Sequence, residues 1–239
     1  MYLDHVVHFI GQKPEQAMKY WRSLKFPAAA GGRHEKWGTF NALLYLKDCY
    51  IEWLAVEKAE VAASAGHPLT QQLLYNKKGF GTICLRTDSI AALNARLLRE
   101  GFATSSVLDA ERRTADGSLL KWKMLFIEEK VSDQLPSPFF IEWQEDDATR
   151  YGNLRESGAI QLPTEELAIE RCVFGVHDIE ASEEKWKKLL GGGLRLPNCQ
   201  FEFRQTDRQK ERLEEVHFQG GSQKVEFENG VYFMPSLRY

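Results

Sequence analysis

This sequence predicts an α+β fold in which repeated strand-helix-strand units pair, so that curved mixed sheets enclose a cleft. Three observations carry the expectation. The order β-α-β-β recurs three times, with helices starting near Pro14, Ser89 and Ile179. The tripeptide Ile-Glu-Trp appears at 51–53 and again at 141–143, each time inside an apolar, strand-like run. A chain of 239 residues, 43% hydrophobic and 27% charged, can bury a core without staples.

The elements follow in order. Leu3 to Ile10 is β-branched and aromatic and reads as a strand ending at Gly11. Pro14 to Leu24 carries Ala17, Met18, Trp21 and Leu24 at helical spacing, with Pro14 suited to a first turn. Gly31 and Gly32 are expected to open a turn, and Phe40 to Leu46 and Cys49 to Val56 form a hairpin across Lys47-Asp48. In the second unit, Gly81 to Arg86 is a strand, Asp88 or Ser89 caps a helix bearing Ile90, Leu93 and Leu97, and Gly101 stops it. Strands over Lys121 to Glu128 and Phe139 to Gln144 follow, around a turn at Pro136-Ser137-Pro138. The third unit runs from a strand at Arg171 to Val176, through a helix at Ile179 to Leu190, to strands near Phe201 to Arg204, Leu213 to Gln219 and Lys224 to Phe233. Asn229-Gly230 reads as a turn, and the mixed charges of Arg204 to Glu215 as a solvated turn or helix. The resulting division is 1–145 (modules 1–56 and 79–145, helical insertion 57–78), a linker over 146–167, and a third, degenerate module over 168–239.

Net charge is -3, and no basic run interleaves with aromatics, which argues against nucleic acid or an anionic membrane surface as partner. No apolar stretch is long enough to span a bilayer, and the N-terminus lacks a signal-peptide pattern. Cys49, Cys84, Cys172 and Cys199 are scattered without metal or redox spacing, so free thiols in a reducing, cytoplasmic setting are expected. P-loop, dinucleotide-glycine and Ser-His-Asp patterns are missing, which removes support for kinase, dehydrogenase and serine-hydrolase readings.

Each Ile-Glu-Trp copy sets a carboxylate among apolar neighbours, where it must be paired, protonated or bound to a cation. Strand alternation places Glu52 with Tyr50 and Leu54, and Glu142 with Phe140 and Gln144; Trp53 and Trp143 then point the other way, toward core packing. His5 and His8 fall on opposite strand faces, and periodicity does not decide which points inward. For Glu52 and Glu142 the competing readings are ligand, acid/base pair, or a carboxylate that caps a sheet edge or pairs with arginine. Either His34 and Arg33 reach a substrate from the mouth of a cleft, or they are exposed turn residues; Asn41 orients their loop.

Four segments, Leu3-Asp4-His5-Val6-Val7, Gly31-Gly32-Arg33-His34 through Gly38-Thr39-Phe40-Asn41-Ala42-Leu43, Tyr50-Ile51-Glu52-Trp53-Leu54 and Pro138-Phe139-Phe140-Ile141-Glu142-Trp143, make the first 145 residues or so resemble the glyoxalase-like domains of the vicinal oxygen chelate superfamily. The resemblance implies paired βαβββ modules around a cleft. It also implies a divalent metal (Mn, Zn, Ni, Fe or Mg) held by His5, Glu52 and Glu142, with a fourth position near Gly81 or Thr82, neither a normal strong ligand. The implied activity is lyase or isomerase chemistry on a small oxygen-rich substrate, with Glu142 or Glu52 as base and His34, Arg33 and Asn41 as substrate contacts. The alternative is a binding or sequestering protein that uses the same cleft without metal or turnover. A homodimer is a candidate assembly, with the third module as an oligomerisation or regulatory unit.

Overall fold

β1 (Tyr2–Phe9) is buried over almost its whole length, as a β-branched and aromatic run at the centre of a sheet must be. It leads into α1 (Pro14–Ser23), whose Pro14, Ala17 and Trp21 form one buried stripe. Then come β2 (Ala29–His34), β3 (Thr39–Tyr45), β4 (Tyr50–Val56), α2 (Ala59–Ser64) and α3 (Pro68–Asn76). The second module is β5 (Gly79–Arg86), α4 (Ile90–Arg99), β6 (Leu108–Arg113), β7 (Leu119–Leu125) and β8 (Phe139–Trp143). After α5 (Asp147–Glu156) and α6 (Leu162–Glu165) the chain continues through β9 (Ile169–Val176), α7 (Ile179–Leu190), β10 (Arg195–Leu196), β11 (Cys199–Gln205), β12 (Arg212–Phe218), β13 (Gln223–Phe227) and β14 (Gly230–Met234). This computed structural model describes residues 1–113 and 119–236.

The first sheet has the order β2-β3-β4-β1-β5-β8-β7-β6. β1 is parallel to β4, β5 is parallel to β8, and β1 and β5 lie antiparallel side by side. The two modules are thus joined through their first strands about a pseudo-two-fold axis, with one bulge at Asp4 and the matching one at Gly81. The α+β architecture of paired βαβββ modules holds. The second sheet, β10-β11-β9-β12-β14-β13, goes further than a third module: its β11-β9-β12-β14 core repeats the parallel, antiparallel, parallel pattern of β4-β1-β5-β8. Its second half simply lacks a crossover helix. The two sheets and the helices α1, α4 and α7 share one core, which includes Trp21, Trp53, Phe140, Phe174, Trp186 and Tyr232.

Several expectations need correction. Gly31 and Gly32 lie inside β2, not in a turn; the Asn41 carboxamide occupies the space a Cβ on Gly31 would need, and accepts a hydrogen bond from the Gly32 N–H at 2.6 Å. The turn comes later, at Gly38 with φ +64°. The segment 146–167 is no plain linker, because α5 is capped by Asp146 and buries Arg150 and Tyr151. Arg204 to Glu215 spans the end of β11 and the start of β12, and Glu214 is buried. The turn expected at Asn229-Gly230 does divide Lys224 to Phe233 into two strands, one residue earlier, with Glu228 and Asn229 at φ 44° and 67°, values of a tight hairpin turn. α7 ends at Gly191 in the left-handed region.

Candidate functional site

Alternation along β1 and β4 builds the floor of the cleft. His5 lines it from β1 and Tyr50, Glu52 and Leu54 from β4, with Val7 and Phe9 packed beneath against Leu54, while Val6, Ile10, Ile51 and Trp53 turn into the shared core. His8 turns away as well; it is fully buried between the sheets, with Nδ1 on the Tyr232 hydroxyl and Nε2 on the Glu228 carbonyl. The cavity over this floor has a volume of about 810 Å³, within the range of small-molecule sites. One side is made of His34, Trp37 and His67, the other of Leu120, Trp122, Met124, Ile141 and Trp143, and α5 with the residues after it supplies Arg150, Asn153 and Leu154.

At the floor three side chains form a line. Asp4 is fully buried, accepting from His5 Nδ1 at 2.8 Å, Trp143 Nε1 at 2.9 Å and the guanidinium groups of Arg86 and Arg150 at 3.3 Å each. Burial alone would raise its pKa; Arg150, the His5 hydrogen bond and Arg86 outweigh that and hold the carboxyl well below the usual range. An ionised Asp4 can only accept, so the His5 proton sits on Nδ1 and Nε2 faces Glu52 Oε2 at 3.5 Å. The other Glu52 oxygen accepts from the Asn41 side-chain amide, which fixes the carboxylate. Tyr50 stacks on the His5 ring at 4.4 Å, and burial, then the charges of Asp4 and Glu52, push its phenol pKa well above the ordinary value. It therefore stays a neutral donor.

Of the residues singled out from sequence, His5, Glu52, Asn41 and His34 line the cavity, and Arg33 and Glu142 do not. Arg33 is an exposed side chain paired with Glu57 at 2.8 Å. Glu142 faces the opposite side of the sheet, where its Oε2 accepts from the Ile90 N–H at 2.6 Å and stabilises the N-terminus of α4. The cause is register. Val7 pairs with Glu52, and the pseudo-equivalent Cys84 pairs with Phe139, so Phe139 occupies the position of Glu52 and the second Ile-Glu-Trp lies three residues further on. An odd shift flips every side chain to the other face. Trp143, expected in the core, consequently lines the cavity. Sequence reasoning also missed Asp4, Tyr50, His67 and Arg150; for Asp4 the missing signal is the bulge that lets adjacent residues act on one site.

The donor set does not fit the divalent ion that the resemblance implies. Of the implied ligands His5, Glu52 and Glu142, the first two offer Nε2 and Oε2 to the cleft and Glu142 faces away; the position equivalent to His5 is Thr82, whose hydroxyl donates to the Ser137 carbonyl at 2.9 Å, and a Cβ on Gly81 would strike the Phe9 ring. Asp4, His5 and Cys84 offer atoms within 4.8 Å of one another, but two arginines already neutralise Asp4 and burial keeps Cys84 a thiol. In the second sheet the matching positions hold ion pairs, with Arg171 on Glu202 at 3.1 Å and Glu215 between Arg204 and His217, so that face does not duplicate the site.

Comparison with known proteins agrees with this architecture. The sequence profile of the glyoxalase-like domain matches residues 3–190. A hypothetical protein from Staphylococcus aureus of known crystal structure is 25% identical, with 97% of each chain covered and a TM-score of 0.81. Methylmalonyl-CoA epimerase from Streptomyces coelicolor, solved in complex with 2-nitronate-propionyl-CoA, is 16% identical over 61% of this chain and 99% of that one, at a TM-score of 0.42. The Mycobacterium tuberculosis epimerase gives 15% identity over 63% of this chain and 91% of its own, at a TM-score of 0.42. No protein of curated function matches. With the profile spanning most of its length and the paired-module sheet in place, the chain belongs to the glyoxalase-like domain family of the vicinal oxygen chelate superfamily.

Proposed function

We propose that the cleft is an active site that moves a proton on a small carbonyl compound carrying a neighbouring oxygen. The observation that carries this reading is the Asp4–His5–Glu52 line at the floor of the cavity. Glu52 Oε2 takes a proton from the carbon beside the carbonyl, and the C–H electron pair moves onto the carbonyl oxygen as an enolate. The proton passes to His5 Nε2, where Asp4 stabilises the imidazolium, and returns to carbon to complete an isomerisation or epimerisation. The Tyr50 phenol is the neutral donor beside the developing oxyanion. No step runs through a metal ion. The reading includes a reducing, cytoplasmic setting, in keeping with four free, buried cysteines.

The test is hydrogen-deuterium exchange at carbon, followed by NMR in D2O, with acetoin and 2-hydroxyacetophenone as probes. The wild-type protein is expected to catalyse exchange, and to keep doing so after chelator treatment and metal-free dialysis. Exchange that requires an added divalent ion contradicts this mechanism. A ligand-dependent thermal shift without exchange in any probe favours sequestration instead, a reading supported by the aromatic walls and incomplete ligand set.

A further inference from the structure

The charged groups that line the cavity, among the described residues, are Glu52, Glu145, Glu156 and Arg150. Arg150 carries no spare charge, because it is committed to Asp4 and to Asp147, each at 3.3 Å. Among the described residues, Glu52 accepts from the Asn41 amide, and Glu145 keeps a buried Oε2 with no hydrogen-bond partner. The cavity field is therefore negative, and its net effect is to repel anions.

The walls add a second observation of a different kind. Trp37, Trp122 and Trp143 are all partly exposed and all line the cavity. Trp143 already lies under a cation, with the Arg150 guanidinium 4.6 Å from its ring centroid, and Trp37 stacks on His67 at 4.1 Å. His67 is 6% exposed, and neither ring nitrogen has a partner among the described residues. Burial, then the neighbouring His34, lower its pKa to about 4, so near neutral pH it offers one donor and one acceptor. Flat faces, unbalanced carboxylates and an unpartnered imidazole have one common complement.

We infer that the ligand of this cleft is a planar aromatic or heteroaromatic molecule that is neutral or cationic, and that anionic esters such as nucleotide-bearing thioesters are excluded. The inference rests on the reading of this cleft as the substrate site. Aromatic rings attract cations through their faces, and the carboxylates add to that attraction where water is displaced. An anion of the same shape meets the same rings but the opposite field.

Calorimetric titration of the full-length protein with 1-methylquinolinium and 2-naphthoate, bicyclic probes of like size and opposite charge, is the test. The quinolinium is expected to bind about tenfold more tightly than the naphthoate, with the gap narrowing severalfold in Glu145→Gln. Trp122→Leu is expected to weaken quinolinium binding while leaving the thermal unfolding midpoint of the free protein close to wild type. Equal or tighter binding of naphthoate overturns the inference, as does failure of both probes to bind at millimolar concentration. The carbon-exchange experiment keeps the two claims apart. Exchange activity together with a preference for naphthoate removes the ligand class and leaves the proposed reaction standing, whereas quinolinium preference in a protein without exchange does the reverse.

Discussion

Replacing Asp4 with Asn removes the one fully buried charge that faces both Arg86 and Arg150 while preserving shape. Breaking a buried ion pair from one side costs about 3–5 kcal/mol, because the partner's charge stays desolvated. Both arginines keep a second carboxylate, Asp147, at 2.8 Å and 3.3 Å, which places the expected loss at the lower end, about 3 kcal/mol. Asp147 itself is 46% exposed, so Asp147→Asn should cost under about 1 kcal/mol. Urea unfolding at pH 7 measures both. The pH dependence has a fixed sign: the folded pKa of Asp4 lies below its ordinary 3.8, so its contribution is complete above that value and fades as acid titrates the folded state. The wild-type advantage over Asp4→Asn should therefore shrink below about pH 4. A loss under 1 kcal/mol, or equal losses in the two variants, refutes the account of the buried network.

Two further outcomes follow from the same geometry. Burial holds the His8 pKa at about 4 against an ordinary 6.5, partly offset by the Glu228 carbonyl; between these values the unfolded chain binds the extra proton. Stability should thus fall by about 3 kcal/mol from this group as pH drops from 7 to 4, and urea unfolding of His8→Gln across that range should show a correspondingly shallower slope. His67 shifts in the same direction and should leave part of the slope in place. Glu142→Ala removes the acceptor of the Ile90 N–H, and a loss of about 1 kcal/mol is expected by the same unfolding measurement. No measurable loss would show that the bond contributes nothing.

The fold was legible because apolar periodicity and punctuation agree along most of the chain. Pro14, Ser89 and Gly101 mark helix ends where the structure has them, and the β-branched runs of β1 and β5 are the buried central strands. The site was legible only in its first half. His5 and Glu52 share the cleft as the resemblance implies, but the second Ile-Glu-Trp is a repeat in letters and not in register: pairing, not sequence, decides which face a strand residue takes. Strict alternation would put Asp4 on the face opposite His5, and the bulge at Asp4 brings the two side chains together. Arg150 lay in a stretch read as a linker, because its helix has little amphipathic pattern and is buried through charge pairing instead of apolar contact. Glu214 was hidden in the same way, its carboxylate filling the space over Gly175 while Arg204 and Arg208 neutralise it.

The central claim is that two carboxylates in identical tripeptides serve different ends, one in proton transfer and one in holding a helix. Carbon-hydrogen exchange compared between Glu52→Gln and Glu142→Gln tests it most directly. The account predicts exchange lost in Glu52→Gln and retained near the wild-type rate in Glu142→Gln. Equal loss in both, or loss in Glu142→Gln alone, would contradict it.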